Sequence, residues 1–256
     1  MITIALINNK GGVAKTTSTA SIGAYMSYIG KKVLMIDSDP QANLTAHFNF
    51  KKEEQTIYTA FKDFKEDPEN AKLPLLKIND CLYLVPSEPD FERIRENVFN
   101  YAEPNRILQR LLMPFKEHFD VCLIDLPPAK DVYAKNALFA CDGVLIPIQA
   151  SKFSLDGVNS LVSFLMKLKK EGFLNFEIIG SFLSMYDERK SISTAVKDVV
   201  AEFFKEKMFS TVIRINTDIE KAQANGEDIF MFAKNSNSAA DYGKLTEELM
   251  KRINLN

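Results

Sequence analysis

The stretch Asn8-Asn9-Lys10-Gly11-Gly12-Val13-Ala14-Lys15-Thr16-Thr17 follows the apolar run Ile2 to Ile7 and precedes a segment with helical periodicity. That is where a phosphate-binding loop sits, between a strand and the helix it opens. A glycine turn at such a junction aims several backbone N–H groups, and the positive end of the helix dipole, at one point in space. The loop therefore predicts a bound nucleoside triphosphate.

Outward from this loop, short β-branched runs alternate with helical patterns. The runs are Lys32 to Ile36, Leu82 to Val85, Val121 to Ile124, Val144 to Ile148, Ile178 to Leu183 and Thr211 to Ile215. Several are apolar at consecutive positions, as strands covered on both faces are. The pattern predicts an α/β fold, a doubly wound and mostly parallel sheet with helices on both faces. Thr16 to Ile29, closing at Gly30, together with Asn105 to His118 and Phe153 to Glu171, are the expected crossover helices. Residues 51 to 80 are rich in charge and carry Pro68 and Pro74, which predicts a surface excursion with one short helix at Ile57 to Phe61. With 256 residues, 46% of them hydrophobic, one domain over 1–256 is expected.

Composition narrows the chemistry. Lys and Arg total 32 against 34 Asp and Glu, so attraction to nucleic acid must come from a local patch. Cys81, Cys122 and Cys141 are far apart in sequence, and only His47 and His118 could supply imidazole, which indicates neither a zinc site nor a disulfide framework. No apolar run is long enough to span a bilayer, and the chain reads as cytoplasmic.

Two further motifs carry acids to strand ends, where α/β sheets place ligands. One is Asp37-Ser38-Asp39-Pro40-Gln41-Ala42-Asn43; the other is the buried strand Phe119-Asp120-Val121-Cys122-Leu123-Ile124-Asp125, followed by Leu126-Pro127-Pro128. Carboxylates beside a triphosphate repel it unless a divalent cation or an attacking water lies between them, so the pair implies metal-assisted chemistry.

In the general phosphate-loop spacing, Asn9 and Ala14 stand where glycines belong, and only Lys15 and Thr16 match. The narrower pattern Lys-Gly-Gly-Val-x-Lys-Thr-Thr, with Lys10 as an additional lysine, resembles the deviant phosphate loop of the ParA/MinD family of ATPases. The two acidic motifs resemble that family's switch I and its Walker B strand leading to switch II. Val85-Pro86-Ser87, the strand from Asp142 to Gln149, and Phe153 to Gly157 extend the likeness over nearly the whole chain.

The resemblance implies ATP and Mg2+ as cofactors. It implies nucleotide contacts from Asn9, Lys10, Gly11, Gly12, Val13, Ala14, Lys15, Thr16 and Thr17, with Met185 and Asn216 near the adenine. Lys15 would meet the β and γ phosphates, and Thr17 the α phosphate. Lys10 would cross a dimer interface to the partner's nucleotide. Thr16 and Asp125 would hold Mg2+ with Asp37 assisting, and Asp39 would orient or activate the water, making Lys10, Lys15 and Asp39 the catalytic set. Members carry Gly where this chain has Ala14, a change that a negative φ would accommodate.

By the same resemblance the chain is a short ParA form, without an N-terminal helix-turn-helix domain. It would partition plasmid or chromosomal DNA as an ATP-dependent homodimer on non-specific double-stranded DNA, associated with the nucleoid and stimulated by a ParB-like centromere-binding protein. Arg189, Arg214, Lys221 and Lys234 are the candidate DNA contacts. The alternative is a MinD-like regulator that positions other cargo on membrane or nucleoid. Membrane attachment fits less well: Leu245, Leu249, Ile253 and Leu255 form an apolar stripe with Glu247 and Glu248 among its few lysines and arginine, as in a docked terminal helix. Iron–sulfur relatives would need cysteine pairs that are not present, and Lys10 argues against the small-molecule ligases of the same scaffold.

Overall fold

The structure, a computed structural model, describes residues 1–50, 53–97, 103–128, 131–150, 154–172 and 174–255. Phe153 and the first two residues of the predicted surface excursion lie outside these described residues.

The strands are β1 (Ile2–Leu6), β2 (Val33–Asp37), β3 (Leu76–Lys77), β4 (Leu82–Val85), β5 (Val121–Asp125), β6 (Gly143–Gln149), β7 (Glu177–Tyr186) and β8 (Met208–Arg214). The helices are α1 (Lys15–Tyr28), α2 (Asn43–His47), α3 (Ile57–Glu66), α4 (Ile94–Asn97), α5 (Ile107–Leu112), α6 (Val132–Ala140), α7 (Ser154–Gly172), α8 (Ser191–Phe204), α9 (Thr217–Asn225), α10 (Ile229–Phe232) and α11 (Asn237–Arg252). All strands join one sheet in the order β3-β4-β2-β5-β1-β6-β7-β8, parallel throughout except for the antiparallel β3–β4 pair.

The alternation of side chains along each strand divides the core into two layers. Ala5, Leu34, Ile36, Cys122 and Ile124 share one buried cluster with residues of α3, α5, α6, α7 and α8, while Ile4, Leu6, Met35, Val121 and Leu123 share the other with residues of α1 and α11. Every β5 residue is buried, which is why that run carries no polar alternation.

Two predicted helices differ in extent. α3 starts where Thr56 caps it, accepting from the Tyr58 N–H, and runs on to Glu66, with Phe64 in the added turn buried on the same side as Phe61. The helix expected from Asn105 to His118 is shorter: α5 ends at Leu112, and a tighter turn at Met113–Phe115 takes over where Pro114 removes a donor. β3 has only two residues, too few for a periodic signal.

The stripe predicted at the C-terminus is docked. Leu245 and Leu249 of α11 are fully buried, with Ile253 and Leu255 packed against the same layer. Inside that contact the Tyr242 hydroxyl lies 3.1 Å from Ser18 Oγ on α1, so the last helix is bonded to the helix that the phosphate loop opens. α11 also manages the sheet edge: Glu248 accepts from the Ser210 and Thr211 N–H groups of β8, and Arg252 donates to the Lys207 and Met208 carbonyls.

Ala14 departs from the expected negative φ. It is left-handed, at φ 65 and ψ 31, and it follows Gly12 at φ 72. The loop needs both reversals to turn its N–H groups inward before α1 begins, and at Ala14 the Cβ must bear one of them. A left-handed alanine costs about 1–2 kcal/mol, and glycine recovers that less about 0.4–1 kcal/mol of added unfolded-state entropy. Ala14→Gly is therefore expected to stabilise the chain by up to about 1.6 kcal/mol in urea unfolding; a destabilised variant would contradict the strain argument.

Candidate functional site

β1, β2 and β5 are neighbours in register, Leu6 beside Asp125 and Asp125 beside Asp37, so their carboxyl ends deliver the phosphate loop and both acidic motifs to one place. The cleft there has a volume of about 640 Å³. Gly11, Gly12, Lys15, Thr16, Thr17 and Asp39 line one part of it.

The loop is tied to the sheet beside it. Asn8 donates through Nδ2 to the Pro147 carbonyl at 2.7 Å and accepts from the Lys10 N–H at 3.0 Å. Ser184 Oγ donates to the Val13 carbonyl at 2.9 Å. The Lys10 ammonium lies 3.2 Å from Gln149 Oε1 of the same chain. Lys15 is buried, and its Nζ donates to the Lys10 carbonyl at 3.3 Å. Burial pulls its pKa down, opposed by the charges of Asp125 and Asp39.

Thr16 and Asp125 meet: the hydroxyl donates to Asp125 Oδ2 at 2.6 Å. The other oxygen, Oδ1, is buried and has no hydrogen-bond partner. Desolvation, reinforced by the charge of Asp37, pushes the Asp125 carboxyl up to about 8. An orphaned carboxylate oxygen beside a threonine hydroxyl is a hard-oxygen donor set, which fits Mg2+. Asp37 is raised to about 6 by desolvation. Its oxygens serve its own segment, accepting from the Thr45 N–H and hydroxyl at 2.8 and 2.7 Å and from the Asp39 N–H at 3.2 Å. Asp37 therefore shapes the loop that carries Asp39. Asp39 in turn accepts from the Gln41 N–H at 2.9 Å and faces the cleft.

The structure does not gather every residue singled out from the sequence. Met185 lines the cleft with a left-handed backbone at φ 51. Asn216 instead caps α9, accepting from the Asp218 N–H at 2.8 Å, and is not among the lining residues. The candidate DNA contacts all have partners within the chain. Arg189 pairs with Asp187 at 2.9 and 3.0 Å, and Arg214 with Asp241 at 2.9 and 2.7 Å. Lys221 sits 3.3 Å from Asp218, and Lys234 donates to the Tyr28 hydroxyl at 2.8 Å. Of the two arginine side chains, Arg189 is 89% exposed and Arg214 is 37% exposed.

Several lining residues escaped the sequence reading: Gln41, Asn43, His47, Gln223 and Ala224. Gln41 and Asn43 belong to the acidic motif that starts at Asp37, so their signal is local. His47, on the helix that follows, is pushed down to about 4 by burial and so is neutral at pH 7. Gln223 comes from α9, and its Nε2 donates to Thr17 Oγ1 at 2.9 Å across 206 positions of sequence, a pairing without local signal.

Residues 1–178 match a family model described as an AAA domain. The chromosome-partitioning ATPase Soj of Thermus thermophilus is 33% identical over 98% of this chain and 96% of its own length. Among solved structures, the ATP complex of a Cyanothece McdA variant superposes with a TM-score of 0.86 at 24% identity, over 100% of this chain and 97% of that one. Cobyrinic acid a,c-diamide synthase from Mycobacterium smegmatis, with a bound ATP analogue and magnesium, gives a TM-score of 0.83 at 25% identity over 99% and 96% of the two chains. With the phosphate loop, both acidic motifs and full-length similarity in agreement, the chain belongs to the ParA/MinD family of P-loop ATPases.

Proposed function

We propose that this chain is a Mg2+-dependent ATPase of DNA partition, whose two copies pair around ATP, bind duplex DNA without regard to sequence, and let go after hydrolysis stimulated by a ParB-like centromere-binding protein. The observation that carries the reading is the Thr16–Asp125 contact with its orphaned carboxylate oxygen, set beside a buried Lys15 at the mouth of the phosphate loop. A bound cation would satisfy the orphaned oxygen and offset the repulsion among these acids.

Thr16 and Asp125 would hold Mg2+, which supplies charge neutralisation on the phosphates. Lys15 would release the Lys10 carbonyl to meet the β and γ oxygens, and Asp39 would orient the attacking water. Lys10, bonded to Gln149 in the single chain, would exchange that partner for the nucleotide of the second copy. DNA phosphates would compete with Asp187, Asp241 and Asp218 for the basic side chains, so one protomer binds weakly and a pair, with twice the contacts, binds well. The docked α11 supports nucleoid over membrane, since its apolar stripe is already covered. On this reading the protein works in the cytoplasm on the nucleoid, with residues 1–256 acting as one domain.

Asp39→Ala is expected to keep ATP-dependent dimers and DNA binding while phosphate release falls at least about 100-fold. Lys10→Ala is expected to lose both dimers and DNA binding. Light scattering, gel shift on random duplex and a phosphate-release assay separate the two, and DNA binding by Lys10→Ala at wild-type strength would remove the proposed mechanism.

A second expectation concerns pH. Asp37 and Asp125 have folded pKa values near 6 and 8, raised above the unfolded carboxylate value, so the protonated native state is favoured at low pH. Stability is then present below about pH 4 and is lost as pH rises through the folded values. In EDTA the melting temperature should fall between pH 5.5 and pH 8, with a shallower fall in Asp125→Asn and in saturating Mg-ATP. Equal slopes in all three samples would show that these acids are not the cause.

A further inference from the structure

We propose that Gln223 is a nucleotide-positioning residue, one that acts through Thr17 by fixing which way the threonine hydroxyl points its proton. The inference rests on the reading that this loop holds a nucleoside polyphosphate, and adds to it a residue from the far end of the chain.

Thr17 lies in the first turn of α1, in the wall of the cleft. A hydroxyl has one proton to give and can accept elsewhere, whereas an amide nitrogen of glutamine can only give. Gln223 Nε2 sits 2.9 Å from Thr17 Oγ1, so the threonine oxygen is the acceptor and its own proton is left for another acceptor. In a helix the usual acceptor is a carbonyl one turn back, and Thr19 takes that course, donating to the Lys15 carbonyl at 3.1 Å. Among the described residues the Thr17 hydroxyl makes no such bond to the Val13 carbonyl four residues back, whose side-chain donor is Ser184 Oγ at 2.9 Å. What remains in front of Thr17 is the cleft, into which Gly12, Lys15 and Thr16 also face. A hydroxyl polarised from behind and aimed at an anion is a stronger donor than one free to rotate.

Gln223 is held in place for this task. α9 ends at Gly226, in a left-handed conformation at φ 73, and the Gly226 and Glu227 N–H groups return to the Gln223 and Ala222 carbonyls at 3.1 and 3.0 Å. Asn49, just after α2, donates from Nδ2 to the Asn225 carbonyl at 3.0 Å. It packs so closely on Gly226 that a Cβ there would fall 1.8 Å from the Asn49 amide nitrogen. The helix end that presents Gln223 is thus pinned between the phosphate-loop helix and the segment carrying Asp39, and the amide lies on a rigid element.

The test is a double-mutant cycle on nucleotide affinity, using Gln223→Met, Thr17→Val and the pair, with fluorescent ADP displaced by ADP or ATP. Gln223→Met keeps the length of the side chain and removes the donor. Its dissociation constants for both nucleotides are expected to rise about threefold to tenfold, because both carry an α phosphate. In the Thr17→Val background the same change should add less than twofold. Melting of the four nucleotide-free proteins is measured alongside, and coupling between the two sites should be larger in affinity than in melting. Losses that simply add, wild-type affinity in Gln223→Met, or coupling confined to the melting temperature would overturn the inference and leave the functional reading standing. A wild-type chain that binds neither nucleotide would overturn both.

Discussion

The fold is organised around an electrostatic constraint: two fully buried carboxylates, Asp37 and Asp125, and the nearly buried Asp39 stand at adjoining strand ends beside one buried ammonium, Lys15. Desolvation makes such a cluster costly unless each acid is hydrogen-bonded, protonated or neutralised by a cation. Asp37 meets the condition through Thr45 and the Asp39 N–H, but Asp125 meets it only in part, through Thr16. The deficit at Asp125 is what makes the site chemically directional, since the group that best relieves it carries positive charge and binds oxygen.

Everything on the α1 side of the sheet bears on the same site. α1 has no acid in its first turn and no side-chain cap, which leaves its first N–H groups to the cleft. α11 is bonded to α1 through Tyr242 and Ser18, and α9 reaches Thr17 through Gln223. The last third of the chain, whose motifs are weaker, therefore closes the site that the first third builds. Its basic residues lie on the same stretch: Lys221 is on α9, two positions before Gln223, and Arg214 ends β8.

That surface is also quiet in the single chain. Lys221 faces Asp218 across an exposed pair, a kind that contributes little to stability, whereas Arg189 and Arg214 pair with the buried carboxylates of Asp187 and Asp241. The exposed Lys221–Asp218 pair is easily exchanged for an external anion, whereas the two arginines would meet one while still held by their aspartates.

The sequence alone was sufficient for the layered parallel sheet, because short β-branched apolar runs at β1, β2, β4, β5 and β6 alternate with helical patterns, as strands buried on both faces do. It was sufficient too to bring Lys15, Thr16, Asp39 and Asp125 to one place, since each stands within a few residues of a strand end. Tertiary structure alone decided the left-handed Ala14, the commitment of Asp37 to Thr45, the place of Asn216 as a helix cap, and the arrival of Gln223 at Thr17. The difference has one physical cause. Motifs record residues that act where the local backbone puts them, whereas a hydroxyl's orientation or a carboxylate's free lone pair depends on groups that only the packed sheet and its returning helices bring within bonding distance.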